Sequence, residues 1–408
     1  MKILIVSPYL PHPLCGHGAG VFIYKFIHHI SKKHRVTLVS FCDQSERILA
    51  EDLKQLPLEL HLVPRVKGAQ ETFSLNFPLV LIRILQLIRS VILWQPYYVS
   101  KFRHPRMSRL VKRLTRDHGY DIVQFEFTQM GQYARYVQSG KILLHELDVS
   151  YRPSYRRYQS ARSLLMKALT FIEWCRWARY EPKLARSVDR VLTVTDQDRL
   201  LLEWLTNSHN ISYFPHAVDI PQQAPQYSQR ESHSLLFVGS YSHSPNTDAA
   251  IWLCRDIFPL VQKIYPGSTL YIVGSNPPEG LREFGRLNAK IKIPGFVESV
   301  DEYLQRCAVF IAPLRIGGGV KNKILFAMAQ SIPVVSTKVG IEGIDGIEPG
   351  AVLIGNSEQK LVDHIFHLFE NPGLADETGK RGKEIVREWY SWEKVIADLE
   401  QIYEHCLM

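Results

Sequence analysis

Short apolar runs alternate with longer segments of helical periodicity along the whole chain. In the first half the apolar runs are KILIVSP, HRVTLVSF, DIVQFEF, KILLHE and RVLTVT, and in the second half they are HSLLFVGS, STLYIVGS, IKIPGF, AVFIAP and PVVST. Such runs are typical of strands in parallel sheets, because helices cover both faces of those sheets. The pattern therefore predicts an α/β protein with parallel sheets and helices on both faces.

The length of the chain and one polar stretch predict two domains. The chain has 408 residues, which is more than a single hydrophobic core usually serves. Residues 215–231, PHAVDIPQQAPQYSQRE, are rich in proline and glutamine and separate the two sets of strands. We expect Rossmann-like domains over residues 1–214 and 232–385, joined by this linker. Ligands bind beyond the carboxyl ends of such strands, so two facing domains would enclose one cleft.

Composition and charge narrow the classes of partner. The chain is 46% hydrophobic and 22% charged, as globular proteins are, and its net charge is +9. This charge suits phosphorylated ligands, an anionic membrane or nucleic acid, and no nucleic-acid motif accompanies it. The six cysteines have no metal-binding spacing, and the start MKILIVSPYLPHP reads as a strand rather than a signal peptide. A cytoplasmic protein without a metal site or a nucleic-acid partner is expected.

The most apolar segment is residues 77–94, FPLVLIRILQLIRSVILW, which Arg83 and Arg89 interrupt. A transmembrane span is not expected, because the segment is barely long enough and carries these charges. Two interpretations stay open, a helix packed on the core and a helix lying in the membrane interface. The basic helical sequence of residues 151–190 is interpreted as a solvated face.

The richest chemical motif is APLRIGGGVKNKILFAMAQSIPVVST, residues 312–337. A strand ends at Pro313, a turn follows with Gly317, Gly318 and Gly319, and Lys321 and Lys323 open a helix that runs to about Gln330. Glycine lets the backbone approach a ligand closely, and helix N-terminal amides with two ammonium groups attract phosphate. The motif predicts a diphosphate site, and the alternative is an ordinary βαβ crossover.

A second glycine-rich loop follows the first strand. It contains Gly16, Gly18 and Gly20 and precedes a helix predicted from about residue 21. The loop lacks the full dinucleotide-binding fingerprint, although Asp43 is a candidate for the acidic residue of that motif.

The 312–337 motif resembles the donor-sugar signature of family 4 glycosyltransferases, two-domain enzymes of the GT-B fold whose Rossmann-like domains face each other across a cleft. Lys321 stands where that family usually has arginine. Phe326 replaces the glutamate that grips the donor ribose, and Gly318 replaces its partner eight residues earlier. The resemblance also implies that residues 386–408 form a helix that crosses back to the first domain.

The resemblance implies the following site residues. His145 and Lys323 would be catalytic. From its place at a strand end, Glu126 is a candidate to orient an acceptor hydroxyl, with a helix-capping or surface role as the alternative. Glu342 is a candidate to replace the missing ribose contact. The donor phosphates would meet Gly16, Gly18, Gly318, Gly319, Lys321 and Lys323, and the nucleotide would meet Gly239, Gly295, Phe296, Val297 and Phe326. For His145, a structural role is the alternative.

The implied activity is transfer of a hexosyl group from a nucleoside diphosphate sugar, with retention, to a glycan or lipid-linked acceptor in surface polysaccharide synthesis. The implied reaction needs neither a metal nor a cofactor, and peripheral contact with the inner membrane face is compatible with the basic sequence. Two alternatives stay open. One is a non-catalytic nucleotide-sugar-binding or scaffolding subunit, and the other is another GT-B enzyme such as a nucleotide-sugar epimerase.

Overall fold

The computed structural model describes residues 1–15, 18–65 and 77–408, with the side chains of residues 77–84 left out of the description. The described residues form two compact units. The first comprises Met1–Pro215 and Ile396–Met408, and the second comprises His216–Val395. Each unit has its own parallel sheet with helices around it, so the predicted α/β class with parallel sheets is confirmed.

The described part of the first unit contains a seven-stranded parallel sheet in the order β3-β2-β1-β4-β5-β6-β7. The central strands are almost completely buried because helices cover both faces. The strands are β1 Lys2–Ser7, β2 Arg35–Cys42, β3 Leu58–Pro64, β4 Ile122–Glu126, β5 Lys141–Glu146, β6 Arg190–Thr193 and β7 Ile211–Tyr213.

Helices connect these strands, and side-chain caps fix several of their starts. Thr195 accepts a hydrogen bond from the backbone N–H of Asp198 at the start of α8, and Ser163 accepts one from Met166 at the start of α7. The helices are α1 Gly18–Ile30, α2 Arg47–Leu53, α3 Phe77–Ile92, α4 Tyr97–Lys101, α5 Pro105–Asp117, α6 Tyr151–Ser160, α7 Leu164–Ala185 and α8 Asp196–Thr206, and residues Gly131–Tyr136 form a 3₁₀ segment.

The second unit is built around a six-stranded parallel sheet in the order β10-β9-β8-β11-β12-β13. Its strands are β8 Glu231–Val238, β9 Thr269–Val273, β10 Ile291–Gly295, β11 Cys307–Ala312, β12 Val334–Ser336 and β13 Leu353–Ile354. Its helices are α9 Ser244–Trp252, α10 Phe258–Ile264, α11 Glu279–Leu287, α12 Asp301–Arg306, α13 Asn322–Ala329, α14 Lys338–Ile341, α15 Glu358–Glu370 and α16 Pro372–Tyr390, with a π-helical turn at Leu253–Ile257.

The stretch predicted as a linker, residues 215–231, packs on the second unit. Val218 bridges to Ser391, and Lys383 donates from Nζ to the backbone oxygen of Pro221 at 2.8 Å. The division between the units falls after Pro215.

The last helix, α17 Trp392–Leu407, begins in the second unit and ends in the first. Its Tyr403 donates to Oε1 of Gln124 on β4 at 2.6 Å, and Glu400 accepts from Lys33 at 3.0 Å. The final residues of the chain are therefore tied to the first sheet by buried and surface contacts.

No helix in the described parts of the chain combines the length and the apolar character needed to cross a membrane.

Candidate functional site

The glycine-rich turn lies between the end of β11 and the start of α13. Gly317 has φ of 133° and Gly319 has φ of 68°, conformations that favour glycine. Gly318, which the sequence also marked, is exposed and does not have a positive φ. The backbone conformation therefore favours glycine at the first and third residues of the triplet. A Cβ at Gly317 would contact Pro245 at 3.7 Å, so the turn passes close to the start of α9.

Lys323, in the first turn of α13, has a neutral hydrogen-bond partner. Its Nζ donates to Oδ1 of Asn246 at 2.5 Å and lies 4.6 Å from the centroid of the Phe237 ring. Burial, with a smaller contribution from the charge of Lys321, lowers the pKa of Lys323 to about 7. Lys323 thus has no carboxylate partner among the described residues, and a bound anion would favour the protonated lysine.

Lys321 lies at the N-cap position of α13 and is buried. Its Nζ donates to the backbone oxygen of Glu342 at 3.4 Å and lies 4.0 Å from the Oε2 of the same residue. The two lysines therefore flank the amide-bearing end of an eight-residue helix, which itself attracts anions.

Arg315 is a further cation close to the glycine turn in sequence, and the structure pairs it with a carboxylate. Its guanidinium donates to both oxygens of Asp248, at 2.6 and 3.0 Å, and lies 4.8 Å from the centroid of a Trp252 ring. Because Asp248 balances its charge, Arg315 adds little to the potential of the turn.

Asn246 was not predicted as a site residue from the sequence. Besides accepting from Lys323, it donates to the backbone oxygen of Ser240 at 2.8 Å. A Cβ on Gly239 would lie 2.9 Å from the Asn246 amide, and a Cβ on Gly274 would lie 1.8 Å from the Gly239 oxygen. Gly239 is thus required by close packing around Asn246.

The predicted base-binding residues follow β10. Gly295 has φ of 81°, and a Cβ placed there would meet no atom within 4 Å. Phe296 is 77% exposed, and Val297 packs against the core of the second unit. Phe326, at the position of the missing glutamate, is 45% exposed on α13, three residues after Lys323. Two aromatic rings are therefore presented to solvent among the predicted nucleotide contacts.

The glycine loop of the first unit is described only in part. Gly16 lies outside the described residues. Gly18 is the first residue of α1, and a Cβ added to it would meet nothing within 4 Å. Asp43, the candidate dinucleotide acid, accepts from the backbone N–H groups of Ser45 and Glu46, at 2.7 and 3.0 Å. Those two bonds are typical of a turn cap.

The structure brings together His145 and Glu126, at the ends of adjacent strands β5 and β4. Nδ1 of His145 lies 2.7 Å from Oε2 of Glu126, and both side chains are fully buried. Since an ionised carboxylate only accepts, Nδ1 carries the proton. The other Glu126 oxygen accepts from Gln124 at 2.6 Å, and Gln124 in turn accepts from Tyr403.

This network changes the expectation for Glu126. Its carboxylate oxygens are taken by His145 and Gln124 inside the first unit rather than presented to an acceptor. Nε2 of His145 has no hydrogen-bond partner among the described residues, and the rings of Phe22 and Phe214 flank the imidazole, with centroids 5.9 and 5.0 Å away. The described arrangement suits a positioning role for Glu126 and leaves one histidine nitrogen available.

Two carboxylates next to this network are also fully buried. Glu181 accepts from the backbone N–H groups of Ser150 and Tyr151, at 2.6 and 3.0 Å. Burial raises the pKa of Glu181 to about 8, and burial together with the nearby charge of Glu181 raises the pKa of Glu146 well above its usual range. At neutral pH the pair therefore holds a proton.

No group of three or more His, Cys, Asp or Glu side chains among the described residues is arranged to hold a metal ion.

Comparison with known proteins gives a family match within the second unit and a fold for the chain. Residues 232–371 match the model of the family described as "Glycosyl transferases group 1". A protein of Klebsiella pneumoniae, named "Uncharacterized 44.6 kDa protein in cps region", is 23% identical in an alignment that covers 98% of each chain.

Two solved structures align with 99% of this chain and 99% of their own. Sucrose-phosphate synthase from Thermosynechococcus elongatus has a TM-score of 0.67 at 15% identity. Anabaena Alr3699/HepE in complex with UDP-glucose has a TM-score of 0.63 at 14% identity. At these identities the likeness establishes the fold. Residues 232–371 match the group 1 glycosyl transferase model, in a chain that has the GT-B fold, as the resemblance of the 312–337 motif led us to expect.

Proposed function

We propose that this protein is a retaining, metal-independent glycosyltransferase that moves a hexosyl group from a nucleoside diphosphate sugar to a glycan or lipid-linked acceptor in surface polysaccharide synthesis. The single observation that carries the proposal is the pair Lys321 and Lys323 at the start of α13, beside the Gly317–Gly319 turn. These residues lie within the segment that matches the group 1 family.

The lysines would stabilise the diphosphate as the bond between the anomeric carbon and its phosphate oxygen breaks. Negative charge then grows on the leaving diphosphate and positive charge on the sugar ring. Lys323 has a neutral partner and a ring face beside it, so its full charge would be directed to the diphosphate. We propose that the acceptor oxygen bonds to the anomeric carbon on the face that the diphosphate leaves, and that its proton passes to a phosphate oxygen.

The nucleotide would bind beyond β10 and along α13. Phe296 and Phe326 are exposed and suit contact with the flat face of a base or with the ribose. Neither can accept a hydrogen bond from a ribose hydroxyl. Glu342, whose carboxylate lies 4.0 Å from Lys321, is the described acid that we propose for this contact.

His145 is proposed to contact the donor sugar through Nε2. Glu126 fixes the tautomer by accepting from Nδ1, so that Nε2 is an acceptor for a sugar hydroxyl. Because the imidazole is fully buried, this contact requires a shift of a flanking ring, and Phe22 is the more exposed of the two.

Peripheral membrane contact is proposed for the first unit. Residues 77–185 contain 19 Lys and Arg against 7 Asp and Glu, so this part alone exceeds the net charge of the whole chain. Large apolar side chains on α3 and at the start of α7 are exposed, among them Ile92, Leu164 and Leu165. Arg176 of α7 donates to Ser90 of α3 at 3.1 Å, so the two exposed groups belong to neighbouring helices. Basic and apolar side chains together suit an anionic lipid surface.

What is stated of two similar proteins supports the proposed donor and pathway. Alr3699/HepE is described as binding UDP-glucose, and the Klebsiella relative is placed in a cps region. Uridine nucleotides are therefore the first donors to test.

A second function, a non-catalytic nucleotide-sugar-binding subunit, is favoured by two observations. Phe326 cannot grip a ribose as a glutamate does, and His145 is wholly buried. Such a subunit would bind the donor and not turn it over.

The test is incubation of the purified protein with nucleoside diphosphate sugars and lipid or glycan acceptors, with measurement of nucleoside diphosphate release. Release that depends on the acceptor supports the transferase, and the anomeric coupling constant of the product reports retention. If the donor binds but no nucleoside diphosphate is released with any of the acceptors, the result supports the non-catalytic subunit.

A further inference from the structure

A groove of about 820 Å³ lies in the first unit, and its lining includes none of the residues described above as the candidate donor site. One wall is α3, the others are the start of α5 and the 3₁₀ segment Gly131–Tyr136. Ligand sites in proteins are commonly about 300 to 1,000 Å³, so the groove is large enough for an organic ligand.

The α3 wall of the groove has an apolar face beside Gln86 and Arg89. Leu85, Ile88 and Ile92 recur at helical spacing and therefore lie on one face of the helix. Ile92 is 75% exposed, although burial of such a side chain is favourable. The part of this helical stretch that lines the groove, residues 85–93, provides a stripe of roughly 12 Å, enough to lie along part of an extended hydrocarbon chain.

Three arginines line the same groove. They are Arg89 of α3, Arg103 before α5 and Arg135 of the 3₁₀ segment. None of the three forms an ion pair with a carboxylate among the described residues. A guanidinium group can donate two parallel hydrogen bonds to two oxygens of a phosphate. Beside an apolar wall its attraction for an anion is stronger than in bulk water.

A buried acceptor completes the polar side of the groove. Gln132 lines it and is almost fully buried, with its amide nitrogen donating to the backbone oxygens of Val99 and Gln129, at 2.9 and 2.8 Å. Its Oε1 has no partner among the described residues. A hydroxyl group on the ligand would satisfy this oxygen, which is costly to leave unpaired.

We propose that this groove binds a phosphate-bearing lipid, with the hydrocarbon chain along α3 and the phosphate between Arg103 and Arg135. The apolar wall contacts the hydrocarbon chain of the lipid, and the arginines without carboxylate partners bind its phosphate. Gln132 accepts a hydrogen bond from a hydroxyl on the head group. The statement that this lipid carries the acceptor hydroxyl rests on the proposed transferase function, whereas the binding itself does not.

The test is calorimetric titration of the full chain with decyl phosphate below its micelle-forming concentration. Decyl glucoside, which has the same chain without the charge, and inorganic phosphate, which has the charge without the chain, are the controls. We expect decyl phosphate to bind at least tenfold more tightly than either, because an arginine–phosphate contact alone is worth roughly tenfold or more. Equal binding of decyl phosphate and decyl glucoside would refute the proposal.

Variants locate the ligand. We expect Arg103→Gln and Arg135→Gln each to weaken decyl phosphate binding about tenfold, and Ile92→Ser to weaken it while leaving inorganic phosphate unaffected. Arg157→Gln, which removes an exposed arginine of α6 outside the groove, is the charge-matched control and should change nothing. A loss as large in Arg157→Gln would mean that only general charge attracts the lipid.

A parallel titration with nucleoside diphosphates separates this proposal from the proposed function. Nucleotide binding without decyl phosphate binding refutes the groove alone. Decyl phosphate binding without any nucleotide binding supports the groove and contradicts the transferase.

Discussion

The Nζ of Lys323 lies 2.5 Å from Oδ1 of Asn246, a neutral partner 77 positions earlier in the chain. The amide holds the ammonium in place without cancelling its charge. A carboxylate at this place would do both, as Asp248 does for Arg315. The pair therefore explains how the site can present a cation to a diphosphate. Burial, with a smaller contribution from the charge of Lys321, lowers the pKa of that cation to about 7.

Nucleoside diphosphate binding should be coupled to uptake of a proton by Lys323. Burial lowers the pKa of Lys323 to about 7 in the ligand-free protein, so most of its side chains are neutral at pH 8. A bound diphosphate would raise that pKa. At pH 8 the binding enthalpy should vary with the ionisation enthalpy of the buffer and indicate up to one proton taken up. Affinity should fall as pH rises above 7, by at most about tenfold per pH unit.

Two variants identify the group that takes up this proton. Asn246→Asp places a negative charge beside Lys323 and keeps it protonated, so uptake at pH 8 should largely disappear. Lys323→Met should show none. Unchanged proton uptake in Lys323→Met would assign the proton to another group.

Phe326→Glu should tighten donor binding if the ribose lies beside this position. A carboxylate that accepts from two ribose hydroxyls contributes roughly 1 to 3 kcal/mol, which is about a tenfold to hundredfold gain in affinity. Phe326 is partly exposed, so the substitution does not bury a charge. Calorimetry with a nucleoside diphosphate measures the change, with Phe326→Leu as control.

The 2′,3′-dideoxy nucleotide tests the reason for that gain. It lacks the hydroxyl groups, so it should bind Phe326→Glu no better than the natural protein. An equal gain for both nucleotides, or none for either, would place the ribose elsewhere.

The stability of the protein should depend on pH through Glu181. Its folded pKa, about 8, is above the unfolded value, so its contribution is full below pH 4.5 and is lost as pH rises to about 8. Glu181→Gln removes the part of this dependence that Glu181 contributes. We expect the free energy of unfolding at pH 8 to improve by about 1 to 3 kcal/mol relative to the natural protein, and not at pH 4.5.

Urea unfolding at several pH values checks this, with Glu404→Gln as an exposed control on α17. An effect of Glu181→Gln that is the same at pH 4.5 and pH 8 would assign it to packing rather than to proton binding.

Membrane contact should depend on the start of α7. The protein should float with vesicles that contain phosphatidylglycerol, and the double variant Leu164→Ser/Leu165→Ser should bind roughly tenfold more weakly, because two exposed leucines lose their favourable burial in lipid. Leu287→Ser removes a leucine of similar exposure in the second unit and is the control. Protein that stays wholly in the unbound fraction would remove the membrane part of the proposal.

Much of the fold could be predicted from the sequence, because strands that are buried on both faces consist of continuous apolar runs. Three strands were not predicted. β3 is an edge strand, Leu58–Pro64, with partly exposed and polar positions, whereas β7 and β13 have only three and two residues. Periodicity needs several buried positions in succession, and these strands do not provide them.

The sequence predicted only those site residues that lie close together along the chain. The glycine turn, Lys321 and Lys323 fall within seven residues, whereas Asn246 comes from a different βα unit. The contact between Gln124 and Tyr403 spans 279 positions, and no sequence pattern links them. Burial of His145 was likewise not visible, because a histidine at a strand end suits both a structural role and a site.

The measurement that tests the proposed function most directly is calorimetric titration of the purified protein with UDP and other nucleoside diphosphates, with Lys323→Ala and the exposed-lysine control Lys290→Ala. We expect the natural protein and Lys290→Ala to bind one nucleotide alike, and Lys323→Ala to bind it roughly tenfold to hundredfold more weakly, because a charge-assisted contact with phosphate is lost. Equal binding by all three proteins, or no binding to any nucleoside diphosphate, would contradict a donor diphosphate site at the start of α13.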